Sequence, residues 1–193
     1  MMEQMKRVFN VIRQYKIIVI TTLLSALIVL SFVLLFAQSK DVKLYAAAGI
    51  QIDEMAKNII QNYRLQPSYW GLSTSEVINK KLYAEGMSIK NNKLIGYFGN
   101  NVEIGADENG SPVMPGVKNF VITYNNLTKE QCIGLGANKY NEMFWLNVSK
   151  ITLKNADIEQ DFIWGDEEYG LIPSKHALKK MCNRKDNKLL VYF

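Results

Sequence analysis

The feature that most restricts this chain is residues 17–37, IIVITTLLSALIVLSFVLLFA: 21 consecutive positions without a charge, a glycine or a proline. As an α-helix such a run is about 32 Å long, close to the thickness of a bilayer's hydrocarbon core. Thr21, Thr22, Ser25 and Ser31 interrupt it only with hydroxyls, which bond back to the helix's own carbonyls. Lys6, Arg7, Arg13 and Lys16 precede the run, and Lys40, Asp41 and Lys43 follow it. The positive-inside bias then puts residues 1–16 in the cytoplasm and everything after the run outside. A cleaved secretory signal is the competing reading, since Ala37-Gln38-Ser39 has a small-x-small form. The run is longer than the 7–15 residues usual for a signal's apolar region, which favours an uncleaved anchor.

The apolar pattern continues beyond the run at Tyr45, Ala48, Ile52, Met55, Ala56, Ile59 and Tyr63, with Lys57, Asn58 and Gln61 on the other face. That is helical spacing, and no proline occurs before Pro67. One helix from near residue 4 to residue 64 is expected, about 90 Å of rod. Its second half would pack on the rest of the molecule through Tyr45, Ile52, Ala56, Ile59 and Tyr63. The alternative is an anchor, a break and an ordinary core helix.

Charge says where the chain does not bind. Formal net charge is +5, but residues 41–193 hold 18 basic and 17 acidic residues, so the excess lies in the N-terminal segment. A nucleic-acid domain carries its excess on the folded part. At 48% hydrophobic residues the chain can bury a core.

After Pro67 the texture becomes α+β. Ser73-Thr-Ser-Glu76 and Thr128-Lys-Glu-Gln131 are capping boxes, the first opening a helix expected to end at Gly86. Strands are expected over 93–98, 101–105, 117–124, 143–153 and 188–193, and a short helix from Ser174 to about Cys182. Phe120, Ile122 and Tyr124 alternate with Val121 and Thr123, as in a strand with one buried face. Few helix or strand signals follow Ile158.

The chain has two cysteines, Cys132 and Cys182, with 49 residues between them. In an oxidising compartment they most simply form one disulfide, for which the chain-entropy model gives about 4 kcal/mol. Two buried free thiols are the alternative. One histidine and this cysteine spacing exclude a CxxC redox motif or a zinc site.

Catalytic and ligand signals are weak. His176 has no local nucleophile, and Asp161 with Asp166-Glu167-Glu168 lacks calcium-loop spacing. DENG at 107–110 reads as a turn. GLGA at 134–137 is not a dinucleotide loop; two glycines in a helix indicate close packing instead. No enzyme activity, cofactor, metal or small-molecule substrate is expected.

FVITYNNLTKEQCIGL (120–135), MFWLNVSKI (143–151) and HALKKMCNRKDNKLLVYF (176–193) carry a resemblance. A strand runs through an LT turn into a helix bearing the first cysteine, and the second cysteine comes just before the last strand. This order resembles the type IV pilin family, in particular the type IVb class. The resemblance implies a long N-terminal helix packed on an antiparallel sheet, with a C-terminal loop closed by Cys132 and Cys182. It implies a cytoplasmic basic segment (1–16), a transmembrane helix (17–37), the periplasmic half of the long helix (38–64) and a globular head (65–193). The expected location is the bacterial inner membrane, single-pass, with a periplasmic head, or an extracellular pilus. The partners implied are the membrane, other pilin subunits and the pilus assembly machinery, in adhesion, secretion or conjugation, with no nucleic acid. The chain departs from the family pattern where Lys16 directly precedes Ile17 and no glutamate occurs in 17–37. That points to a minor or pilin-like member. The alternative is a single-pass protein whose head binds a partner and never polymerises.

Overall fold

The computed structural model describes residues 2–137, 148–163 and 173–193, with side chains inside the first helix described at 19, 22–31 and from 44 onward. In chain order the elements are α1 (Met2–Tyr63), α2 (Thr74–Asn79), β1 (Ser88–Lys90), β2 (Lys93–Ile95), β3 (Asn101–Gly105) and β4 (Val121–Leu127). There follow α3 (Lys129–Gly136), β5 (Lys150–Lys154), β6 (Glu159–Ile163), α4 (Lys175–Met181) and β7 (Asn187–Tyr192). The chain divides into two compact units, Met1–Lys43 and Leu44–Phe193.

The first unit is helix. Its hydroxyls turn inward: Thr22 Oγ1 donates to the Val19 carbonyl, Ser25 Oγ to that of Thr22 and Ser31 Oγ to that of Leu27, at 2.8–3.0 Å. Leu23, Leu24, Leu27, Ile28, Val29 and Leu30 are all exposed. Among the described residues, no helix is long and apolar enough to cross a membrane. Of the run 17–37, the described side chains are only those at 19 and 22–31.

The second unit is α+β. Its seven strands form one antiparallel sheet in the order β1-β2-β3-β4-β7-β5-β6. The strand period of two aligns one apolar row across it. Ile122 pairs with Ile104 and Val191, Tyr124 with Val102 and Leu189, and Ile151 with Val191 and Phe162. All of these are completely buried, in one core cluster with Ala48, Ile52, Met55, Ala56 and Ile59 of α1.

Several elements differ from the sequence expectation. The helix opened by Ser73 ends at Asn79 rather than near Gly86, because Lys81 turns left-handed (φ 55°) and Leu82 and Ala84 are drawn into the core. The strand expected over 93–98 stops at Ile95, since Gly96–Asn100 form a turn. β4 begins at Val121, although Phe120 still exchanges both backbone hydrogen bonds with Phe193. β4 also continues through the Asn125-Asn126 pair, with Asn126 at φ 54° beside a register shift. β1 and β6, the two edges of the sheet, lie where no strand was expected. The expected strand 143–153 is observed as β5 from Lys150, and positions 143–147 lie outside the described residues.

The sheet does not leave its second face wet. Thr123 and Thr152 are completely buried there, and Leu190 nearly so. The loop after β3 accounts for part of this cover, because Glu108 reaches Lys154 of β5 at 3.1 Å and Lys188 of β7 at 3.7 Å. Thr152 donates to Asp161 of β6 at 2.5 Å, which satisfies one buried hydroxyl on that face.

Candidate functional site

The site worth building is the seam where residues 44–63 of α1 lie against the head. Ile52, Ala56 and Ile59 are completely buried there, Tyr63 almost so, and Tyr45 half-buried. Ala48 and Ala56 keep the buried stripe shallow, so the helix backbone can approach closely. On the opposite side Ala46, Ile50, Lys57 and Gln61 are exposed, Ile50 to 62%. One helix thus has a completed face and an open one, and the open face carries an apolar side chain.

Polar groups fix the seam's register. Gln51 donates through Nε2 to the Glu85 carbonyl at 3.1 Å and accepts from the Tyr97 amide at 3.0 Å. Glu54 accepts from the Glu85 amide at 3.2 Å. Asp53 is different: it is buried, and its Oδ1 has no hydrogen-bond partner among the described residues. Burial pushes its carboxyl up to about 7. The Tyr124 hydroxyl of β4 is likewise buried and unpartnered among the described residues, and burial and then Asp53 push it upward.

The disulfide fastens the other side of the head. Cys132 in α3 is bonded to Cys182 at the C-cap of α4, with Cα atoms 5.7 Å apart. Thr128 and Gln131 form the full capping box that starts α3. A Cβ on Gly134 would collide with the Tyr45 ring, and one on Gly136 with Leu178 of α4. The two glycines therefore let α3 sit flat between α1 and α4. A continuous set of contacts runs from Tyr45 through α3 and the disulfide to α4. Beyond the disulfide, Asn155 Nδ2 donates to the Met181 carbonyl at 2.7 Å and Asn187 Nδ2 to the Leu127 carbonyl at 3.1 Å. Both asparagines are buried; sequence reasoning missed them, and their position beside strand ends is the signal that could have found them.

The weaker sequence candidates do not converge. His176 is exposed on α4. Asp161 is engaged by Thr152 and Lys150, and Asp166, Glu167 and Glu168 lie outside the described residues. Asp107 accepts from Ser111 Oγ and from the amides of Asn109 and Ser111, which closes a turn and holds its carboxyl below the usual range. Among the described residues, no group of three or more His, Cys, Asp or Glu side chains is placed to hold a metal ion.

The architecture has solved counterparts. The crystal structure of TcpA, a type IV pilin from Vibrio cholerae El Tor biotype, matches with a TM-score of 0.52 at 15% identity, over 78% of this chain and 99% of that one. The fold is that of a type IVb pilin. The type IV b pilin from Salmonella typhi matches with a TM-score of 0.50, also at 15% identity, over 79% of this chain and 97% of that one. No family model matches the chain, and no curated protein matches it. At this identity the agreement is one of fold. The long N-terminal helix, the antiparallel sheet and the Cys132–Cys182 disulfide all belong to it.

Proposed function

We propose that this chain is a pilin-like structural subunit, anchored in the bacterial inner membrane by residues 17–37. Its head is periplasmic, and it packs against other pilin subunits or the assembly machinery through the open face of α1. The observation that carries the reading is the two-sided character of residues 44–63: one face buried on the head, the other exposing Ile50 beside Lys57 and Gln61. The 21-residue uncharged run supports the anchor, and the pilin fold of the head supports a structural rather than a catalytic role. Adhesion, secretion or conjugation are the processes such an assembly serves.

The test is a pair of substitutions on the open face, Ile50→Asp and Lys57→Asp. Both should leave the head folded and its disulfide formed, yet abolish recovery of the protein in a sheared-filament fraction or in a cross-linked complex with other subunits. Normal assembly of both variants contradicts the proposal. One sequence observation favours a second reading, a non-polymerising anchored binding module: no glutamate lies in 17–37, and Lys16 directly precedes the run. The N-terminal residue of the mature protein separates the two. A new terminus created within the first 17 residues goes with assembly, and an intact Met1 with the module.

A further inference from the structure

The end of the head at the C-terminus of α1 carries large apolar side chains that nothing covers among the described residues. Leu65 is 90% exposed, Trp70 66% and Met114 66%, with Val117 also exposed. Trp70, Met114 and Val117 come from two segments that run side by side, and Leu65 from the turn that leaves α1. The Tyr69 amide donates to the Val117 carbonyl at 3.2 Å, the Gly71 amide to that of Val113 at 2.9 Å, and the Val113 amide to that of Leu72 at 2.9 Å. The base of this ladder is rigid and aromatic. Tyr63 packs on Tyr69, Tyr69 on Phe120 and Phe120 on Phe193, with ring centroids 4.7–5.6 Å apart. The exposure of Trp70 is therefore held in place by the core, not by a loose loop. The two segments carry charge of one sign: residues 64–72 and 111–119 contain Arg64 and Lys118, both exposed, and no carboxylate, and the nearby Glu76 is neutralised by its ion pair with Lys80 over the Tyr63 ring.

We propose that this apolar cap is a lipid-contact surface that inserts Trp70, Leu65 and Met114 into the headgroup boundary of an anionic bilayer. Trp is favoured at that depth because its ring is apolar and its indole N–H still reaches water. Exposed apolar clusters of this kind mark interaction surfaces rather than ordinary solvent-facing skin. Arg64 and Lys118 stand beside the cap, where each gains from negatively charged headgroups. The same charges argue against a self-complementary contact, since a second copy placed on the cap would meet its own Arg64 and Lys118. The ladder's backbone hydrogen bonds are spent internally, so it offers an added peptide strand little to pair with.

The full chain, held by its N-terminal segment in neutral phosphatidylcholine nanodiscs, is mixed with separate vesicles of phosphatidylcholine or of phosphatidylcholine with phosphatidylglycerol, and co-flotation is read. Binding to the anionic vesicles is expected. Trp70→Ser should weaken it at least about tenfold, as loss of a buried apolar side chain implies, and Trp70→Phe should retain most of it. Arg64→Ser and Lys118→Ser should each lower binding to anionic vesicles about fivefold and leave binding to neutral ones unchanged. Near-ultraviolet circular dichroism and the intact disulfide verify folding of each variant. Absence of vesicle binding, binding indifferent to Trp70, or disc-to-disc association abolished by Trp70→Ser each overturns the proposal, the last in favour of a protein partner.

Discussion

Asp53 offers a quantitative test of the seam. Asp53 is buried on α1, near enough to Tyr124 of β4 to push that hydroxyl upward, and burial raises its own carboxyl from 3.8 to about 7. In the unfolded chain it titrates near the lower value. Between the two, the folded state holds a proton that the unfolded state has released, so this group's contribution to stability is greatest below pH 4. It falls as pH rises through the window 4–7 and is level above about 7. A difference of about 3 pH units corresponds to about 4 kcal/mol. Asp53→Asn keeps the shape and removes the titration. The stability difference between variant and parent, measured by denaturant unfolding followed by tryptophan fluorescence, should move by about 4 kcal/mol in the variant's favour from pH 4 to pH 8. Using the change in that difference cancels every other titrating group, along with the cost of the new amide. Parallel stability curves across that range would refute the reasoning, because they mean Asp53 ionises in the folded head without penalty.

Other substitutions probe other parts of the account. Cys182→Ala should cost about 2–5 kcal/mol of head stability, read as a lower denaturant midpoint. Gly134→Val drives a side chain into the Tyr45 ring and should cost about 1–3 kcal/mol by the same measurement, as overpacking does. Ile59→Asp buries a carboxylate in the core, so it should unfold the head or weaken it by several kcal/mol. Lys57→Asp on the exposed side should stay within about 0.5 kcal/mol of the parent.

The core face of β4 is visible in the sequence because a strand repeats every two residues: Phe120, Ile122 and Tyr124 share it, and all three are buried. The same period gives no sign that Val121 and Thr123, on the opposite face, are buried as well. The capping box at Thr128–Gln131 is local chemistry and is readable as such. β6 was not readable: in EQDFI only Phe162 is buried, and the strand exists because β5 pairs with it across five residues. The early end of α2 has the same kind of origin, since tertiary burial of Leu82 and Ala84 overrides a sequence that permits more helix. The cover over Thr123, Thr152 and Leu190 depends partly on a loop whose Glu108 finds its lysines 46 and 80 residues further along. No pattern around Glu108 announces that. At the seam, helical spacing identifies the apolar stripe. It does not show that Gln51 pins the helix to the Glu85 and Tyr97 backbones, or that Asp53 Oδ1 is enclosed without a partner among the described residues.

The central claim is that α1 gives one face to its own head and the other to neighbouring subunits. It is tested most directly by placing a photo-cross-linking side chain at position 57, and separately at position 52, in cells that produce the protein. The account predicts that position 57 yields adducts with a second pilin-type subunit, whereas position 52 reacts only within its own chain. Adducts to another subunit from position 52, or none from position 57, would contradict it.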